Sequence, residues 1–168
     1  MSTFDNFFSR LMLVLIVVEV FADQQQWNFQ QAKKKYQETA KPPPGYQREQ
    51  LDRGFVTTGL WAYSRHPNFA AEQAIWAALY QWCCCETGTY MNWTFLGAMS
   101  YLILFQASTW FTESISMKKY PDYKIYQKKV GKFLPKWNGE FMDAGVDTTK
   151  KDEKTDNTRR KSNGKKNA

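Results

Sequence analysis

The side chains best suited to chemistry lie in one short run, Gly59-Leu60-Trp61-Ala62-Tyr63-Ser64-Arg65-His66-Pro67-Asn68-Phe69-Ala70-Ala71-Glu72. Arg65 offers a planar fork that matches phosphate oxygens, His66 a donor or an acceptor, Asn68 an amide, and Glu72 a carboxylate one helical turn beyond Asn68. Together these groups suit an anionic, ribose-bearing ligand. A second reading makes Arg65 and His66 anchors at a membrane surface, Pro67 merely the first residue of a helix, and Glu72 a position facing a pore. Upstream, Glu19 and Asp23 are four residues apart and so share a helix face. Two acids near lipid are costly unless they face protein, water or a ligand, or lie where a span ends. His66 is the only histidine, which excludes a multi-histidine metal site, and the scattered acids mark no other metal site.

Three apolar segments must position these groups. The first runs from Leu11 to Phe21 and, taken from Phe4 to Phe29, is long enough to cross a bilayer, which needs about 20 residues. It is too long for a signal-peptide core, and no small-x-small cleavage site follows it. The second begins after Pro67 and runs from Phe69 to about Cys85, and the third, from Trp93 to Phe111, carries no charge. Between the first two, Pro42-Pro43-Pro44-Gly45 cannot continue a helix and reads as an exposed linker. The predicted fold is therefore an all-α integral membrane bundle of about three spans, occupying residues 1–142. Residues 143–168 form a charged tail with too few apolar residues to fold.

The charge pattern fits that arrangement. The net charge is +7, but Lys and Arg cluster at Lys33–Lys35, from Lys118 to Lys136 and in the tail, with apolar spans between. Basic loops beside apolar spans fit the positive-inside pattern and argue against nucleic acid. The stretch Lys33 to Arg65 and everything after Met117 then face the cytosol, with Glu86 to Asn92 on the lumenal side. The sequon Asn92-Trp93-Thr94 sits too close to the bilayer to be modified. The abundance of aromatic rings, with seven Trp and nine Tyr, suits a lipid interface. Cys83, Cys84 and Cys85 are adjacent and lack the spacing of a zinc site or a disulfide framework; packing at a helix end is their expected role, with S-acylation a lesser alternative.

The run GLWAYSRHPNFAAE resembles the GLW-x-x-(S/T)-RHPN-(Y/F)-x-x-E signature of the steroid 5-alpha-reductase C-terminal domain and its DUF1295 relatives. VEVFADQQQWNF is similar to the upstream acidic helix of that family, and KKYPDYKIYQKKVGKFLP to its closing segment. The resemblance covers Glu19 to Pro135. It implies a membrane oxidoreductase that binds NADPH from the cytosolic side and passes hydride to a carbon–carbon double bond of a sterol-like or enoyl lipid. Carried over by motif, the nucleotide site would comprise Asp23, Arg65, His66, Asn68, Glu72, Tyr123 and Tyr126, with Glu113 where the family often has an acidic or histidine residue facing the cofactor. No catalytic residue is identified.

Two departures stand out. Ala71 replaces a Gly that commonly precedes the Glu, and family members carry further spans upstream that bind substrate and supply the proton. The chain is thus expected to be a fragment, or to work with a partner chain that supplies the missing spans. The RHP element also occurs in isoprenylcysteine and phospholipid methyltransferases, so an S-adenosylmethionine-dependent methyltransferase is an alternative, as is a non-catalytic protein that keeps the fold. Lys165-Lys166-Asn167-Ala168 resembles a di-lysine retrieval signal, consistent with the endoplasmic reticulum membrane and a cytosolic C-terminus.

Overall fold

A computed structural model describes residues 2–136. Among them are five α-helices and no strand: α1 (Thr3–Thr39), α2 (Arg48–Arg53), α3 (Pro67–Thr87), α4 (Thr94–Lys119) and α5 (Tyr123–Lys129), with a 3-10 turn at Gly59–Ala62 before α3. The all-α expectation holds. The expected boundary at residue 142, the charged tail and the di-lysine sequence lie outside the described residues.

Local chemistry sets the helix ends. Ser2 and Asp5 cap α1 reciprocally: the Asp5 amide donates to Ser2 Oγ at 3.1 Å, and the Ser2 amide donates to Asp5 Oδ2 at 2.8 Å. The helix then runs well past the apolar segment, because Gln, Lys and Ala in QQQWNFQQAKKKYQET are good helix formers. It stops at Ala40, in the left-handed region at φ 54°, just ahead of the three prolines. Pro67 opens α3, where its missing N–H costs nothing, and Gly88 closes it at φ 65°.

The longest seam joins α1 and α3, with α4 packed on the other side of α3. The two helices run antiparallel. At one end Trp82 Nε1 donates to Asp5 Oδ1 at 3.0 Å and Ser2 Oγ to Glu86 Oε1 at 2.7 Å. At the other, Asn68 Nδ2 donates to Asp23 Oδ1 at 2.9 Å. Small residues on both helices, Ala22, Ala71 and Ala78, are buried and let the backbones approach. Ala71 is one of these packing positions. Two apolar clusters fix the loops around this seam. Phe29, Ala32, Leu51, Val56 and Trp61 pin α2 and the 3-10 turn to α1, and Tyr123, Tyr126 and Val130 seat α5 with Phe55, Met117 and Tyr120. Of the cysteines, Cys84 is buried, as its packing role requires, and Cys83 is exposed.

The expected bundle of about three membrane spans is not what the helices form. No helix of the described residues is long and apolar enough to cross a membrane. Arg10, Glu19 and Asp23 interrupt α1, Glu72, Gln73 and Gln81 interrupt α3, and Gln106 with Ser100, Ser108, Thr109 and Thr112 dilutes α4. The outer faces are nonetheless apolar: Val14, Val17, Val20 and Phe21 on α1 and Leu104 and Phe111 on α4 are each at least half exposed.

Gly54 ends α2 at φ 86°, and a Cβ there would lie 2.5 Å from Tyr120 Cε1. Gly54→Ala is therefore expected to cost about 1–2 kcal/mol from the left-handed backbone alone, with more from the displaced ring. The check is the urea unfolding midpoint against the unmodified protein; an unchanged midpoint would contradict the close approach of Gly54 to Tyr120.

Candidate functional site

The loop before α3, the start of α3, the C-terminal half of α4 and α5 meet around one buried ion cluster. Arg65 Nε donates to Glu113 Oε1 at 2.8 Å and Nη2 to Glu113 Oε2 at 3.2 Å, while Nη1 donates to the carbonyls of Gln127 at 3.0 Å and Val130 at 2.7 Å. His66 Nε2 lies 3.0 Å from Glu113 Oε1, and Gln127 Nε2 donates to Glu113 Oε2 at 2.8 Å. Burial alone would raise the Glu113 carboxyl, but the hydrogen bonds from His66 and Arg65, the Arg65 charge and Gln127 outweigh it and hold it at about 2. Backbone bonds close the same region, with the Arg65 amide donating to Gly131 O at 2.9 Å and the His66 amide to Lys132 O at 3.1 Å. The Tyr126 hydroxyl donates to the Trp61 carbonyl. Burial pushes the Tyr123 and Tyr126 phenols up, so both stay neutral.

The pH dependence on the acid side follows from Glu113. Its folded value is below the ordinary 4.5, so the stability it contributes is complete above about 4.5 and is lost as the pH falls towards about 2. Urea unfolding midpoints should drop across that window in the unmodified protein and drop less in Glu113→Gln. Parallel curves for the two would contradict the ionised, clamped carboxylate.

Beside this cluster lies a cleft of about 240 Å³. Its polar lining comes from Gln26, Arg65, His66, Asn68, Thr112 and Ser116, and its flat walls from Phe55, Trp61, Phe69, Tyr123 and Tyr126. Two of the lining residues carry a side-chain acceptor, Gln26 Oε1 and Asn68 Oδ1, that is buried without a hydrogen-bond partner among the described residues. Orphaned buried carbonyls each cost about 1–3 kcal/mol, which a ligand carrying N–H or O–H donors would offset.

The sequence-predicted residues thus divide. Arg65, His66, Asn68, Tyr123 and Tyr126 line the cleft, and Asp23 stands at its edge, bonded to Asn68. Glu113 is held by Arg65 and His66 and is not part of the cleft lining. Glu72 lies one turn further along the α1–α3 seam, accepting from Trp76 Nε1 at 3.0 Å and from the Tyr101 hydroxyl at 2.8 Å. Burial and the neighbouring Glu72 carboxylate push the Glu19 carboxyl up to about 7. Gln26, Phe55, Val56, Trp61, Phe69, Thr112 and Ser116 also line the cleft and were not among the residues the motifs pointed to. Gln26 follows Asp23 by three residues, a helical neighbour spacing that was available as a signal. No group of three or more His, Cys, Asp or Glu able to hold a metal occurs among the described residues.

This set of elements, an acidic helix, an Arg-His-Pro-Asn turn and a closing tyrosine helix, places the chain in a recognisable class. The chain belongs to the DUF1295 family, described as a protein of unknown function, which matches residues 1–130. It is 41% identical over 135 residues to an uncharacterized protein of Schizosaccharomyces pombe, an alignment covering 79% of this chain and 39% of that relative. The chain therefore spans well under half the length of that relative. No solved structure matches it.

Proposed function

We propose that the chain is the nucleotide-binding part of an oxidoreductase that uses NADPH to reduce a carbon–carbon double bond of a lipid, sterol-like or enoyl. The observation that carries this reading is the aromatic-walled cleft whose lining includes Gln26 and Asn68, each with an unpartnered side-chain oxygen. A nicotinamide ribose presents the required donors, a carboxamide NH₂ and ribose hydroxyls, on a flat ring that stacks well on Trp61, Phe55 or Tyr123. NADPH would supply the hydride. The cleft residues bind and orient it, and the clamp of Arg65 and Glu113 keeps the turn carrying Asn68 rigid.

The substrate pocket and the proton donor are assigned to the part of the longer relative that this chain does not span, whether on the same polypeptide or on a partner chain. The outer faces of α1 and α4 expose apolar side chains such as Val14, Val20, Leu104 and Phe111, the kind of surface that marks a membrane or protein contact. We assign them to the lipid of the endoplasmic reticulum membrane and to the part of the longer relative that this chain does not span.

Calorimetric titration of the purified chain in detergent tests the cofactor. Saturable binding of NADPH, and none of S-adenosylmethionine, is the expected result. Binding of S-adenosylmethionine alone would move the protein to the methyltransferase reading, and binding of neither would favour a non-catalytic role.

A further inference from the structure

The cleft is too small for a whole dinucleotide, since pockets that enclose drug-sized ligands run from about 300 to 1,000 Å³ and this one is about 240 Å³. The phosphates of any nucleotide held there must lie outside it. Arg65, the obvious phosphate reader in the sequence, is already spent on Glu113 and on two backbone carbonyls. Another cation must do that work.

We propose that Lys33, Lys119 and the Tyr120 hydroxyl form an oxyanion subsite beside the cleft that binds a phosphate ester. For whose phosphate it is, the inference rests on the nucleotide reading above. Lys33 Nζ donates to Gly54 O at 2.8 Å and to the Tyr120 hydroxyl at 2.9 Å. An ammonium has three donors; a carbonyl and a phenol oxygen take two, and neither is a carboxylate. Lys119 Nζ sits 5.4 Å from the centre of the same ring and Lys33 Nζ 4.8 Å, so two positive charges converge on one half-buried tyrosine. Burial alone would raise the Tyr120 phenol, yet the hydrogen bond from Lys33 and the charges of Lys33 and Lys119 bring it below its ordinary value.

The position relative to the cleft is fixed by two contacts. The Tyr120 ring packs 5.7 Å from that of Phe55, a wall of the cleft. The Tyr120 amide donates to the carbonyl of Ser116, which also lines it. A ligand with its donor-bearing head against Gln26 and Asn68 and a phosphate one ring further out would reach both sites.

A nucleotide and an anionic lipid share this phosphate chemistry, and one experiment separates them. Inorganic pyrophosphate, NADPH and vesicles containing phosphatidic acid are each titrated against the full chain and its Lys33→Gln and Lys119→Gln variants. Lys119 is exposed, so its replacement keeps the test open should Lys33→Gln fold poorly. Pyrophosphate is expected to bind the unmodified chain and to weaken about tenfold or more in each variant, the loss of one charge-assisted contact, with NADPH weakening in parallel. Lys-dependent binding of pyrophosphate and vesicles without any NADPH binding would uphold the subsite, assign it to a lipid headgroup, and sink the nucleotide reading. NADPH and pyrophosphate binding that is indifferent to both lysines would overturn the subsite and leave the nucleotide reading intact. Failure of all three probes to bind would overturn both.

Discussion

Replacing Glu113 by alanine is expected to destabilise the protein by about 3–5 kcal/mol, the largest effect of any single substitution considered, because it strands a buried guanidinium. The Arg65 and Glu113 side chains are each only 10% exposed and meet in a two-point fork. Removing the carboxylate leaves Arg65 with carbonyl partners alone and takes a partner from both His66 and Gln127. Because α4 and α5 are tied to the turn before α3 through this carboxylate, the loss should loosen the region as a unit. Urea unfolding gives the magnitude. A cost below about 1 kcal/mol, typical of an exposed ion pair, would show that the cluster is not buried in solution. The double variant Glu113→Gln with Arg65→Met, which removes both charges, should recover part of the loss.

Asn68→Leu is expected to weaken NADPH binding by about ten- to a hundredfold, the loss of about 1–3 kcal/mol when a buried polar contact becomes a hydrocarbon. The change keeps the size of the side chain and a helix-compatible residue at the second position of α3. Its bond to Asp23 lies at the exposed edge of the seam, so stability should change far less than affinity. Calorimetry in detergent separates the two. Unchanged affinity, with the variant folded, would remove Asn68 from the site and leave its orphaned oxygen without a ligand-based explanation.

Much of this arrangement was legible in the residues because it is local. Pro67 after His66 marked a helix start, Pro42 to Pro44 marked a break, and both stand where the chain puts them. The run from Arg65 to Asn68 was short enough to fall on one turn whatever the tertiary fold. Glu72 shows the limit of that logic: a four-residue spacing put it on the face of Asn68, but the cleft ends before reaching it and it pairs with Tyr101 and Trp76 instead. The commitment of Arg65 was beyond local reading, since Glu113 lies 48 residues away and nothing in the spacing says that α4 returns to that turn. The same holds for Lys33 and Tyr120, brought together across 87 residues. The expectation of three spans failed for a different reason: the apolar residues are real, but polar ones are spaced regularly enough through each helix to leave none uniformly apolar.

The central claim is that Gln26 and Asn68 offer their side-chain oxygens to a nucleotide, and side-chain amide NMR of the ¹⁵N-labelled chain tests it most directly. On titration with NADPH, the NH₂ resonances of Gln26 and Asn68 should shift along one saturable curve, while that of Gln127, locked on Glu113, stays in place. Saturation of the protein with NADPH that leaves the Gln26 and Asn68 resonances where they were would contradict the account.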